Sequence, residues 1–247
     1  GFARSQTQLA MVELQPDYAR AHLSRIVAIY NSLSSSYDVE FDSIDGVAAP
    51  VASATEIGDE TLFKTGYGEG SILSELAVGS NQVGLVHAEQ VIDMGGSVQL
   101  VDDDKLINQT SYDLLDAYVI EKSETGDVQI SALGQCDSGS AVKLRRRPAG
   151  EVSIANGLPM QANRLIGRLA SPSAMHPGTT RLVARIDGPL PGMTITPAAN
   201  QTMSQTVVLA HLKHQAIPPV EIDDNLVNDF IDVLTDDSVD TGDEQIE

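Results

Sequence analysis

Apolar residues fall in short runs along most of this chain, separated by Gly, Ser, Pro and Asp, and the period of each run sets the element it predicts. The first stretch reads as helical. Ser5-Gln6-Thr7-Gln8 has the spacing of a capping box ahead of Leu9, Val12 and Leu14, and Pro16 suits a first helical position. Ala19, Leu23, Ile26, Val27, Tyr30 and Leu33 then recur at helical spacing, which predicts an amphipathic helix over residues 17–33. The serine-rich run at 32–36 ends it.

Beyond that point the period changes to two. Tyr37, Val39 and Phe41 alternate with polar neighbours and predict a half-buried strand before the Asp45-Gly46 turn. Residues 47–100 hold short apolar runs cut by Gly and Ser. Asp102-Asp103-Asp104 suits the first turn of a short helix reaching Leu115. Residues 117–120 and 128–133 flank the turn Glu124-Thr125-Gly126-Asp127 as a strand and its return. Residues 141–147 and 151–154 form another candidate pair, and 193–196 and 206–212 read as closing strands.

The expected fold class is mainly β: an antiparallel β-sandwich or jelly roll, with an N-terminal amphipathic helix and a short C-terminal helix as appendages. Three regions follow: a helical arm over 1–36, a β-rich core over 37–216, and a segment over 217–247. That last segment opens on Pro218-Pro219, carries the apolar set Leu226, Val227, Phe230, Ile231 and Leu234, and ends in an acidic tail from Thr235 with little to bury.

Composition narrows the picture. The chain has no Trp and is 4% aromatic, so its core rests on Val, Ile, Leu and Ala and a sugar-binding platform of stacked rings is not expected. One cysteine, Cys136, leaves no intramolecular disulfide to depend on. No run reaches the length of a membrane span, and no signal peptide or cofactor motif is recognised. The Gly66–Gly70 cluster lacks the Lys-Ser/Thr ending of a phosphate loop.

Charge is unevenly spread. The net charge is −20, made of −16 over residues 1–140, +7 over 141–185 and −11 over 186–247. The basic band contains Arg145, Arg146, Arg147, Arg164, Arg168, Arg181 and Arg185. Within it, Arg164-Leu165-Ile166-Gly167-Arg168-Leu169 is echoed by Arg181-Leu182-Val183-Ala184-Arg185-Ile186. At strand period each copy puts two arginines on one face, with Leu182, Ala184 and Ile186 on the other face of the second. The echo is therefore expected to form two adjacent antiparallel strands, although Arg164/Arg168 and Arg181/Arg185 also fit the i, i+4 spacing of a helix.

Other candidate chemistry is thin. Gly134-Gln135-Cys136-Asp137-Ser138-Gly139 resembles the Asp-Ser-Gly around the nucleophile of chymotrypsin-like proteases. That resemblance would imply Ser138 as nucleophile, but His87 stands in the wrong context for its base, and Cys136 has no evident histidine either. His211 and His214, with His176, would suit a metal on a helix; on a strand the pair points to opposite faces, and no metal site is expected. Asp236, Ser238, Asp240 and Glu247 resemble a calcium loop, but Thr241 stands where the turn needs Gly.

Without a catalytic constellation, the polarised charge map is the main lead. It points to a structural, self-assembling subunit, a virion coat protein on this reading, whose arginine band meets other copies, other virion proteins or packaged nucleic acid. In general build the expected chain resembles the β-sandwich coat proteins of non-enveloped viruses, which would imply location in the virion. A soluble cytoplasmic or extracellular binding module for an anionic ligand is the alternative, and a Ser/Cys hydrolase the third. On the first reading, reversing Arg181 and Arg185 to Glu weakens assembly and leaves the fold intact.

Overall fold

The computed structural model describes residues 3–51, 62–64, 72–152 and 160–214. Backbone contacts gather Gly1–Gln215 into one compact unit and Ala216–Glu247 into a second. The Pro-rich linker, short C-terminal helix, acidic tail and calcium-loop resemblance expected over 217–247, and the glycine cluster near 66–70, lie outside the described residues.

The fold is mainly β, and strands begin where a helix was expected. β1 (Arg4–Leu14) and β2 (Arg20–Asn31) form an antiparallel hairpin, so neither the capping box nor the helix over 17–33 exists. Pro16 instead occupies the second position of a β-turn, closed by the Tyr18 amide donating to the Gln15 carbonyl at 3.3 Å. Asp17 takes the positive φ of the third position. In β2, burial alternates strictly: Ala21, Leu23, Val27 and Ile29 turn inward and Ile26 is 41% exposed. A helix would have put Leu23, Ile26 and Val27 on one face. The strand wins because β1 and β7 (Gln82–Asp93) pair with both edges of β2 along its whole length, saturating its backbone groups.

The remaining strands follow in order. β3 (Ser35–Phe41), β4 (Val47–Pro50), β5 (Leu62–Lys64) and β6 (Ile72–Val78) precede β7. β8 (Val98–Val101) and β9 (Lys105–Asn108) form a hairpin across the three aspartates, in place of the expected short helix, with Asp102 and Asp103 both at positive φ in the turn. β10 (Leu114–Lys122) and β11 (Val128–Cys136) form the expected hairpin. β12 (Ala141–Lys143) and β13 (Arg147–Pro148) are short. A helix, α1 (Met160–Leu169), then precedes β14 (Thr179–Asp187), β15 (Met193–Thr196) and β16 (Gln201–Lys213).

Among the described residues nine strands make one long sheet in the order β13-β11-β10-β14-β16-β1-β2-β7-β4. It is not wholly antiparallel: β1 runs parallel to β16, ten residues in register from Ser5↔Gln201 to Leu14↔Ala210. Two small sheets, β12-β9-β8 and β15-β3-β6-β5, lie against the same face of the long one. One core joins Leu14, Leu23, Leu106, Leu114 and Leu182 under the three-stranded sheet; a second joins Val27, Ile29, Tyr37, Leu73 and Val86 under the four-stranded sheet. Alternation along β2 carries both: Leu23 belongs to the first core and Val27 to the second. Helix α1 covers the opposite face of the long sheet over Ile120, Val183, Val207 and Leu209.

Candidate functional site

The arginine echo splits into a helix and a strand. Its first copy lies in α1, where Ala162 and Ile166, followed by Ala170 just past the helix end, are buried at four-residue spacing and Arg164 and Arg168 face out. The two adjacent strands expected of the echo are not formed, because this apolar spacing matches the sheet it packs on only as a helix. The second copy does form a strand, with Leu182, Ala184 and Ile186 in the core and Arg181 and Arg185 on the helix side.

Three arginines of the band are held within the chain. Arg181 is 7% exposed; its Nη2 donates to the Ser171 carbonyl at 2.9 Å and its Nη1 to that of Ala174 at 3.4 Å, tying down the loop after α1. Burial pulls its pKa below the ordinary arginine value. Arg185 donates to Asp116 Oδ2 at 3.1 Å and also pairs with Asp187. A bulge in β10, with Asp116 at φ 49°, presents that carboxylate. Burial draws the Arg185 pKa down, but hydrogen bonds to the two carboxylates carry it above its usual value. Arg146 pairs with Glu121, Nη2 to Oε1 at 3.0 Å, and reaches the Asp103 carbonyl. That hydrogen bond to Glu121, helped by the charges of Glu121, Asp103 and Asp104, raises its pKa against a smaller cost of burial.

The others stay free. Arg145, Arg147, Arg164 and Arg168 are exposed, and their side chains make no hydrogen bond or ion pair with a described residue. Arg147 sits opposite Ile130 in the pairing of β13 with β11, and Ile130 belongs to the core under α1. Arg147 therefore shares the helix side of the sheet with Arg164 and Arg168.

The nucleophile candidates are committed elsewhere. Ser138 Oγ donates to the Thr110 carbonyl at 2.5 Å and its amide donates to Asp113 at 2.8 Å. Cys136 is 1% exposed, and burial with the nearby Asp137 charge pushes its thiol up to about 11, leaving it protonated at neutral pH. His87 lies on β7, bonded to Ser24 and near Glu89, whereas Cys136 ends β11 and Ser138 follows it. His211 and His214 do not point apart: the chain leaves β16 after Lys213, and the two rings stack 5.3 Å apart, bonded to Glu13 and Gln15. Among the described residues no group of three or more His, Cys, Asp or Glu could hold a metal ion. No helix among them is long and apolar enough to cross a membrane.

The arginine that sequence reading passed over is Arg25. It stands at an inward position of β2, between Leu23 of one core and Val27 of the other, and is 1% exposed. Its Nη1 donates to Gln90 Oε1 at 2.8 Å, and its Nη2 to the carbonyls of Pro191 at 2.6 Å and Leu190 at 3.3 Å. The Nε–H meets no acceptor among the described residues. Gln90 in turn donates to the Gly192 carbonyl at 3.2 Å, and Gly192, at φ 100°, leaves no space for a side chain beside that amide. Arg25 lines a cleft of about 470 Å³ bounded by β1, β15, β16 and the loop after β14. Once residues 17–33 are read as a strand, a charge at an inward position of an apolar row is the signal; read as a helix, Arg25 looks like one more exposed side chain.

No family model and no curated protein matches this chain. Among solved structures it is similar to the yeast delta-COP-I mu-homology domain complexed with a Dsl1 WxWxV peptide, at 10% identity and a TM-score of 0.36, covering 87% of this chain and 98% of that one. A second structure of the yeast delta-COP-I mu-homology domain gives 11% identity and a TM-score of 0.34, covering 87% of this chain and 96% of that one. Scores this low carry no inference for this chain.

Proposed function

We propose that this protein is a non-catalytic structural subunit that self-associates, with its exposed arginines meeting acidic surface on a neighbouring copy. The supporting observation is the set Arg145, Arg147, Arg164 and Arg168, left exposed and unpaired among the described residues of a chain with 35 acidic side chains. Exposed intramolecular ion pairs contribute only about 0–1 kcal/mol each. A surplus of acids that leaves four arginines unpaired is better matched to contacts outside the chain. In this reading the three sheets are the layers of a β-sandwich, not a jelly roll, since one long sheet spans both smaller ones. A virion shell is the assembly this subunit would build, with other virion proteins or packaged nucleic acid as further counter-surfaces for the same arginines.

Sedimentation velocity across a salt series tests this, on the parent chain and on Arg164→Glu/Arg168→Glu. The parent is expected above monomer mass at low salt and to dissociate as screening shortens to about 8 Å near physiological ionic strength. The double variant is expected to associate at least tenfold more weakly while remaining folded. A parent that is monomeric under every condition, or a variant that associates like the parent, overturns the reading.

A further inference from the structure

We propose that the cleft beside Arg25 is a binding site for a carboxylate carried on an apolar chain. It is a separate surface from the helix-side arginines and does not depend on the reading of their role.

The argument begins with an uncompensated charge. Arg25 is buried without an ion pair among the described residues, in a chain where acids outnumber bases by 35 to 15. Its three hydrogen bonds go to neutral oxygens, those of Gln90, Leu190 and Pro191, and its Nε–H is unmet by any described residue. Burial lowers its pKa to about 10, and no carboxylate among the described residues raises it again. Clamping the 190–192 turn requires donors but not a full charge, and neutral donors would do so without the desolvation cost of a buried ion. The charge is surplus to the structural role.

The lining gives that surplus a use. Among the described residues lining the cleft Arg25 alone is charged, in a chain where acids outnumber bases by more than two to one. Gln6, Gln8, Thr202 and Ser204 supply amides and hydroxyls, while Leu190 and Ile195 supply apolar wall. One cation with neutral donors suits a monoanion; a phosphate dianion would bring a second charge with no partner. The apolar wall suits a hydrocarbon stem behind the carboxylate, and the volume falls within the range of small-ligand sites, about 300–1,000 Å³. The cleft lies where the inward face of the long sheet turns polar between its two cores, so the site occupies a seam that apolar packing does not fill.

A C-terminal peptide carboxylate and a free short-chain acid share this chemistry, and the probes separate them. Calorimetric titration and thermal shift are run on the full chain with sodium hexanoate, with an acetylated tetrapeptide ending in leucine, with its C-terminal amide twin, and with inorganic phosphate. The carboxylates are expected to bind and to raise Tm, the amide to bind at least tenfold more weakly, and phosphate to bind no better than the amide. Binding of hexanoate alone assigns the site to free acids; binding of the free peptide as well assigns it to chain termini. Arg25→Met removes the charge but also the clamp. The decisive variant is therefore Gln8→Glu, which places a carboxylate in the cleft from within. It is expected to keep Tm at or above the parent value and to abolish the ligand response. Equal binding of acid and amide, preference for phosphate, no response to either carboxylate at millimolar concentration, or undiminished binding by Gln8→Glu each overturns the proposal.

Discussion

Replacing Arg181 separates an arginine used for folding from one held out to a partner. In Arg181→Met the apolar stem keeps its place under the loop after α1, but the donors to Ser171 and Ala174 are lost. A hydrogen bond from a charged donor contributes about 1.5–3 kcal/mol. The 2.9 Å bond to Ser171 is of full strength, whereas the 3.4 Å bond to Ala174 is long and adds little. Ser171 is partly exposed and Ala174 exposed, so water recovers part of what their carbonyls lose. The expected cost is therefore about 2 kcal/mol, which for a chain of this size lowers Tm by about 4–8 °C. Arg181→Glu costs more, about 3–5 kcal/mol, because it sets a buried carboxylate against two carbonyl oxygens. Arg164→Glu, on the exposed side of α1, stays within about 0.5 kcal/mol. Urea and thermal unfolding of the three variants measure the contrast. If Arg181→Met melts within a degree of the parent, the guanidinium is not holding the loop and returns to the pool available for partners. The expectation that Arg181 and Arg185 can be reversed without harm to the fold is replaced by this one.

Two further outcomes follow from burial. Leu23→Ala is expected to destabilise by about 2–5 kcal/mol and Ile26→Ala by well under 1 kcal/mol, because the strand sends these side chains to opposite faces; similar losses at both, measured by urea unfolding, would restore the helix. Cys136 is expected to resist thiol reagents in the folded protein and to label on unfolding. Because folding raises its pKa from 9.0 to about 11, its contribution to stability is complete below pH 9 and is lost as pH rises towards 11; a thiol labelled quickly at pH 8 in the native state refutes the burial.

How much was legible depended on whether one period fitted a segment alone. Tyr37, Val39 and Phe41 in β3 could be read directly, since their alternation admits no helix, and the β10–β11 hairpin from the turn between its apolar runs; the inward face of β14 was read as a strand although Arg181/Arg185 also fit a helix. β2 admitted two readings: its apolar residues satisfy both periods, and the inward row 21–31 is interrupted by Arg25. Pairing with β1 and β7, which local sequence does not encode, decides it. The reverse error befell residues 164–169, where the resemblance to 181–186 favoured a strand over the helical spacing of Ala162, Ile166 and Ala170. The charge band was visible as composition, but which arginines were free was not. Arg185 meets an aspartate 69 positions away, and Arg146 a glutamate 25 away. The Arg25 cleft was hidden for the same reason, being closed by carbonyls 165 and 166 positions along the chain.

The parallel seam between β1 and β16 has a consequence for synthesis. The amide of Arg4 bonds to Asn200 across 196 positions, so the middle of the long sheet is closed by its first and last strands. At about 5–20 residues per second, β1 emerges from the ribosome roughly 10–40 s before its partner does. Throughout that interval the β1–β2 hairpin carries one bare edge, and β14, made earlier than β16, waits with another. Any fragment stopping short of residue 201 keeps both edges open, facing each other across a gap one strand wide. Such a fragment is a template for strand addition by a second nascent chain, and only the arrival of β16 withdraws both edges in a single step.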